Sequence, residues 1–248
     1  MTSDPHVRLV VGLQPVREAI RIHRAGVRKL CVDARSNPRV QAMERFARDQ
    51  GIGHIERLDR GQLDRLAGGT EHQGFICWAP PLEFSSLDSL VGDTGLLALA
   101  LDEIQDPQNF GAIVRCAVGI ANAAVIWGEH ASAPLTPATF RASAGAIEQA
   151  RLCRVGSLRD ALNQFRDAGV RVIGLEARAP EPLHEQCLSG PTVLVLGSEH
   201  HGLGRAVRAA CTGFGRLLLS GRLDSLNVSV AAGIALHSVQ IYRSKLGA

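Results

Sequence analysis

The chain has 248 residues, 46% of them apolar, 21% charged and 4% aromatic, which suffices for one large or two small folded domains and excludes wholesale disorder. Its longest apolar runs, 95–101 and 228–236, fall well short of the ~20 residues that span a bilayer, and the first residues lack the basic head and apolar stretch of an export signal, so no membrane and a cytoplasmic location are expected. The net charge is +3, yet residues 1–80 hold 13 Lys and Arg against 9 Asp and Glu while the remainder holds 14 against 15, an asymmetry that points to an anionic partner for the first third.

In chain order, the first third reads as a helix at 14–25, a strand at 29–33, a helix at 38–50, a short strand near 54–58 and a strand at 74–79. Pro80 and Pro81 interrupt the pattern, and the Ser-, Asp- and Gly-rich stretch that follows reads as a linker over 81–95, placing a first domain at 1–80 and a second at 96–248. The second opens with an apolar strand at 96–104 and a helix at 110–121. Next come a strand at 123–128, a helix at 137–149, a strand at 151–155 and a helix at 158–167. Strands at 170–177 and 192–199, a helix at 204–211, the strand-like run 215–221 and a long helix at 228–245 complete it. Continuous apolar strands separated by helices predict an α/β fold with a parallel sheet covered on both faces.

Two of the 27 cations are lysines, Lys29 and Lys245. Arginine's planar fork suits phosphate, although codon usage in a GC-rich genome yields the same ratio. The six cysteines are scattered and form no CxxC pair, so disulfide and zinc sites are not expected and the thiols read as small buried apolar groups. No phosphate loop of the GxxxxGK[ST] type, GxSxG elbow or HExxH pair occurs.

Three polar segments stand where apolar ones are expected. Helix 109–121 is apolar all round except for Arg115, which requires a buried ion pair, a route to the surface or a ligand, because a lone desolvated charge costs several kcal/mol. Asn109 alone reads equally well as a helix cap. Gly197–Gly202, G-S-E-H-H-G, follows a core strand directly, so Glu199 sits at the carboxyl edge where open parallel sheets bind ligands. The adjacent His200 and His201 have no third ligand nearby and no metal is expected. Ser225 and Asn227 open the last helix, where capping alone accounts for one of them. Three polar loops at three strand ends could line a single pocket.

Together these segments resemble the three motifs of the SpoU (TrmH-type) branch of the SPOUT methyltransferases: D-P-Q-N-F-G-A-I-V-R at 106–115, V-L-G-S-E-x-x-G-L at 195–203 and S-L-N-V-S-V-A-A-G at 225–233. The first third, through V-G-L-Q-P-V-R-E-A at 11–19 and H-Q-G-F at 72–75, is similar to the small ribosomal-protein-like RNA-binding domain of that branch. The resemblance implies a deep trefoil knot, a homodimer, and methyl transfer from S-adenosylmethionine to a ribose 2′-hydroxyl of RNA, with a guanosine of 23S rRNA as the expected target. It places Asn109, Arg115, Glu199, Ser225 and Asn227 at catalytic positions and Gly197, Leu217 and Leu226 where backbone holds the donor's adenosine.

A ribose hydroxyl is a poor nucleophile until its developing oxyanion is stabilised. Arginine holds its proton to a pKa of ~12.5 or above, so phosphate orientation and alkoxide stabilisation suit Arg115 better than literal proton abstraction. Two departures from the family pattern bear on donor affinity: Leu217–Leu219 replace the frequent Ile-Pro-Met, and His200 replaces a frequent glycine. Competing readings are a tRNA ribose methyltransferase, an rRNA methyltransferase conferring antibiotic resistance, and a non-catalytic RNA-binding or ribosome-assembly factor.

Overall fold

A computed structural model describes residues 7–130, 132, 135–199 and 201–247. The chain divides into two compact units, one formed by residues up to Glu83 together with Leu135–Gln149, the other from Phe84 onward without that segment. Among the described residues no helix is long and apolar enough to cross a membrane.

In the first unit, β1 (Arg8–Val11), β2 (Lys29–Asp33), β3 (Ile55–Leu58) and β4 (Phe75–Ala79) form a sheet in the order β1-β4-β2-β3, with β2 and β3 parallel and the other pairs antiparallel. Side chains alternate across it. Leu30, Val32, Phe75 and Cys77 pack under α1 (Leu13–His23) and α2 (Pro38–Asp49), whereas Cys31 and Ile76 pack with Leu63 and Ala67 of α3 (Arg60–Ala67) on the opposite face.

The two short motifs of this unit meet. Gly12 N donates to Phe75 O at 3.0 Å and Leu13 N to Gln73 Oε1 at 3.2 Å, so the H-Q-G-F turn holds the start of α1. The turn itself needs left-handed backbone at Gln73 (φ 52°) and Gly74 (φ 88°). His72 Nδ1 accepts from Gly74 N at 2.9 Å, which fixes the tautomer and leaves Nε2–H to donate to Asp64 Oδ1 at 3.0 Å.

The expected helix 137–149 is broken. α6 (Pro137–Ala142) ends, Ala144 and Gly145 turn left-handed, and a 3₁₀ turn follows at Ala146–Gln149. A Cβ on Gly145 would lie 2.7 Å from Glu18 Cβ, so the segment lies directly on α1. Glu148, its side chain wholly buried, accepts from Arg8 Nη1 at 2.9 Å and pairs with His23 Nε2 at 2.9 Å. A buried carboxylate needs such partners.

The second unit starts earlier than the expected linker allows. Ser86 caps α4 (Leu87–Val91), whose Leu90 is buried, so 84–95 is packed structure. Six parallel strands follow: β5 (Leu97–Leu101), β6 (Ala124–Gly128), β7 (Leu152–Val155), β8 (Arg171–Leu175), β9 (Thr192–Leu196) and β10 (Gly213–Gly215), ordered β10-β8-β9-β5-β6-β7. As expected of a parallel sheet, both faces are covered. α7 (Leu158–Asp167) and α8 (Arg205–Ala210) lie against Ala98, Ala100, Val193 and Val195. Elsewhere α5 (Pro107–Cys116), continued by a π-helical turn at Ala117–Ala121, packs beside α9 (Val228–Lys245).

From β5 the chain runs outward to β6 and β7, then crosses to lay β8 and β9 on the other side of β5. The direction of winding reverses between β5 and β9, and the crevice at their carboxyl ends is where such sheets take ligands. The run 215–221 is not a strand: β10 stops at Gly215, and Arg216 turns away to bond Glu181 O and Leu183 N, leaving Leu218 63% and Leu219 38% exposed. Three strand residues suffice there because β10 is an edge.

Candidate active site

The loop after β9 is a tight reversal. Ser198 N donates to Gly202 O at 3.0 Å and Gly202 N to Ser198 O at 2.9 Å, which folds the backbone so closely that a Cβ on Gly197 would sit 2.1 Å from Gly202 C. Only glycine fits. Its far end is tied to β5: Gly204 N donates to Asp102 Oδ2 at 2.7 Å. Asp102 is buried, and desolvation raises its carboxyl pKa against the opposing Gly204 hydrogen bond. Sequence reasoning passed over Asp102; a carboxylate ending an otherwise apolar strand is the signal that marks it.

Glu199 projects from this loop. Its Oε1 accepts from Asn109 Nδ2 at 2.9 Å and from Asn227 Nδ2 at 3.0 Å, and Asn109 Oδ1 accepts from Asn227 Nδ2 at 2.9 Å. Three motifs distant in the chain therefore converge. The helix starts explain how. Asp106, not Asn109, caps α5, accepting from Gln108 N and Asn109 N with Pro107 in the first turn, and this leaves the Asn109 side chain free to reach Glu199. Asn227 does cap α9: its Oδ1 accepts from Ser229 N at 2.9 Å and Ser229 Oγ at 2.6 Å, so its amide can only donate toward Glu199.

Two cavities meet at this network. The larger, about 1050 Å³, is lined by Gly197, Leu217, Ser225 and Leu226, with Leu175 and Leu203 supplying apolar walls. The smaller, about 310 Å³, holds Asn109 and Ile104, and Ser198, Glu199, His201 and Val228 belong to both. Seven of the eight predicted positions thus gather around one crevice. Ser225 lines it, exposed, without capping α9. His200 lies outside the described residues.

Arg115 stands apart. It is exposed, lines neither cavity, and its guanidinium makes no hydrogen bond or ion pair among the described residues. The buried pair considered for it is absent because the packed face of α5 comprises Phe110, Gly111, Ile113 and Val114, and Arg115 falls beside that face. Six positions beyond Asn109, it points about 120° away around the helix.

The thiols mostly follow expectation. Cys31, Cys77 and Cys153 are buried, Cys116 and Cys211 half-buried, and all six are free, but Cys187 is exposed. Hydrogen bonds from Ser189 and Tyr242 bring its thiol down to about 6. Among the described residues no group of three His, Cys, Asp or Glu side chains could hold a metal ion.

Residues 96–237 match the SpoU rRNA Methylase family, and residues 9–85 match a domain described as RNA 2′-O ribose methyltransferase substrate binding. A Mycolicibacterium smegmatis protein named "Uncharacterized tRNA/rRNA methyltransferase" is 36% identical over 237 residues, covering 93% of this chain and 75% of its own. In fold, the chain is similar to the SpoU methyltransferase AviRb from Streptomyces viridochromogenes in complex with AdoMet, with a TM-score of 0.77 at 23% identity over 96% of this chain and 91% of that one. An AdoMet-bound rRNA methyltransferase from Sinorhizobium meliloti aligns with a TM-score of 0.77 at 23% identity, over 96% and 88% of the two chains.

Proposed function

The chain belongs to the SpoU rRNA methylase family, and from that premise we propose that it methylates a ribose 2′-hydroxyl of RNA, a guanosine of 23S rRNA, using S-adenosylmethionine in the cytoplasm. The observation that carries the reading is the hydrogen-bonded trio Asn109–Glu199–Asn227 spanning two cavities, with Asn109 on the smaller, Asn227 on the larger and Glu199 on the wall common to both. A transferase that joins two substrates needs such an arrangement.

The larger cavity fits the donor. Its volume is that of a small-molecule site, and its leucines and close backbone suit a flat purine held by main-chain groups. Gly197, Leu217 and Leu226 would hold the adenosine, and the bound donor supplies an electrophilic methyl group on a sulfonium. The smaller cavity takes the acceptor ribose. There Glu199, held by two amides, orients the ribose, while Ser225 and Asn227 shape the loop beside it. Arg115 orients the neighbouring phosphate and stabilises the developing alkoxide.

Arg115 does not reach this crevice from within its own chain, so the reading includes a homodimer whose second copy delivers it. Support comes from the unpartnered apolar side chains Val230, Ile234 and Ile241 along α9, exposed by 49%, 42% and 41%, on the helix that packs against α5. The trefoil knot is carried over from the family resemblance alone.

Titrating the protein with S-adenosylmethionine in a calorimeter, and mapping 2′-O-methyl marks in rRNA and tRNA from a strain lacking the protein, tests the proposal. Donor binding and one missing rRNA guanosine mark are expected. A missing tRNA mark would move the substrate to tRNA, and absence of donor binding would favour a non-catalytic RNA-binding factor.

A further inference from the structure

The first unit carries a cavity of about 620 Å³ between the starts of α2 and α3 and the H-Q-G-F turn. Arg39 and Arg60 line it. Both are exposed, and their guanidinium groups make no hydrogen bond or ion pair among the described residues. Several other arginines of this unit are matched with carboxylates: Arg57 with Glu44 at 2.8 Å, Arg21 with Glu18 at 2.7 Å and Arg8 with the buried Glu148. Two unmatched guanidinium groups at one concavity leave charge-assisted donors there for a phosphate oxygen.

A third arginine in the same cavity differs. Arg35 Nε and Nη2 bond the two oxygens of Asp33 at 3.2 and 2.9 Å, and its backbone N bonds Oδ1 at 2.9 Å. Asp33 is nearly buried, while the Arg35 side chain stays 71% exposed. The guanidinium is neutralised, pinned at its edge and open on its face. Unstacked bases are held on such planes.

The carboxylates of Asp64 and Glu71 also line the cavity. They repel a bare anion but accept from the amino and imino N–H groups of a base. His72 Nε2 bonds Asp64 Oδ1, so Asp64 is fixed in place. These three features select one ligand chemistry: phosphate for the two free cations, a flat ring for the pinned one, and base donors for the acids.

We propose that this cavity binds one unpaired RNA nucleotide, with its flanking phosphates on Arg39 and Arg60 and its base stacked on Arg35. The inference rests on the RNA-modifying reading above and locates where the first unit grips that RNA. The target to be methylated is a separate nucleotide.

The test is fluorescence anisotropy of the full-length protein with a labelled single-stranded RNA nonamer of mixed sequence, over a salt series. Arg39→Ala and Arg60→Ala should each weaken binding about tenfold and flatten the slope of log K against log salt by about 0.7, the value per phosphate contact on single strands. The pair Asp33→Asn/Arg35→Ala removes the plate without leaving a buried charge. It should weaken binding several-fold at unchanged slope, with the melting temperature checked alongside. Arg45→Ala, an exposed arginine outside the cavity, should cost less than twofold. Equal losses for Arg45→Ala, no loss for Arg39→Ala and Arg60→Ala, or full competition by inorganic polyphosphate at matched phosphate concentration would overturn the proposal while leaving the methyltransferase reading intact. Wild-type protein that binds no RNA and transfers no methyl group would overturn both.

Discussion

Asn227 donates to Glu199 at 3.0 Å because its own oxygen is already taken by the backbone of Ser229. One residue both starts the last helix and orients the acid of another motif. Separating the two roles is direct. Asn227→Ser retains a helix-capping oxygen and loses the amide donor, so stability should stay within about 0.5 kcal/mol while methyl transfer falls tenfold or more. Thermal melts and single-turnover assays check the two halves; equal loss in both would make Asn227 a cap and nothing else.

Arg115 separates binding from chemistry in a second way. Exposed and unpaired among the described residues, it should tolerate truncation at a stability cost within about 0.5 kcal/mol. Arg115→Ala is expected to abolish transfer while S-adenosylmethionine still binds, and Arg115→Lys should rescue little, since an ammonium cannot present the planar fork. Mixing Arg115→Ala subunits with Glu199→Ala subunits should restore part of the activity if the arginine acts across a dimer; no restoration contradicts that arrangement.

Two glycines of the β9 loop make opposite predictions. Gly197→Ala would force a Cβ to 2.1 Å from backbone and should abolish donor binding or folding. Gly202 is left-handed at φ 66° with open space around its Cβ position, so Gly202→Ala should cost only about 1 kcal/mol. Calorimetric titration of both variants measures the contrast.

Asp102 gives stability a defined pH slope. Burial raises its carboxyl pKa in the folded protein, so between the unfolded carboxyl value of ~3.9 and the raised folded value the folded state holds the extra proton. Stability from this group is therefore lost as pH rises through that window. Asp102→Asn can still accept from Gly204 N, and it removes the charge. The difference in urea midpoint between wild type and variant should shift in the variant's favour from pH 4 to pH 7. A difference that stays flat, or moves the other way, refutes the assignment.

Cys187 should be the thiol that alkylates first. It is exposed with its pKa brought to about 6, whereas burial pushes Cys211 up to about 11 and raises Cys77 and Cys153 as well. Iodoacetamide labelling followed by peptide mapping should find Cys187 modified at pH 7 in native protein. Labelling of Cys153 at a similar rate would contradict the burial.

Where a residue's own chemistry decides its conformation, the sequence was readable. The unbroken aliphatic strands and the 228–245 helix appear where the pattern puts them, whereas α5 starts at Pro107 under an Asp106 cap, three residues before the expected 110. Long-range forces hid the rest. α3 is polar and carries a glycine in its first turn, although the Asp59–Gln62 capping box marks its start. The break at Ala144–Gly145 follows from how closely that segment lies on Glu18, a contact across more than a hundred residues. Leu217–Leu219 read as strand by composition, yet β10 ends before them because the chain must turn to reach Glu181 and the cavity. Of the site, the convergence of Asn109, Glu199 and Asn227 was foreseeable from three strand-end loops. For Arg115 the sequence left a buried pair, a route to the surface and a ligand all open, since an apolar helix pattern cannot say which flank its neighbours leave open.

The central claim is that the product is a ribose 2′-O-methyl group. A 2′-O-methyl blocks the intramolecular attack by which alkali cleaves RNA, so the modification leaves a resistant dinucleotide. Ribosomal RNA from a strain lacking the protein, incubated with the enzyme and S-adenosylmethionine labelled in the methyl group, should carry all its label in one alkali-resistant dinucleotide, and the Glu199→Ala enzyme should yield none. Label released as an alkali-sensitive mononucleotide, which would mean a methylated base, would contradict the account.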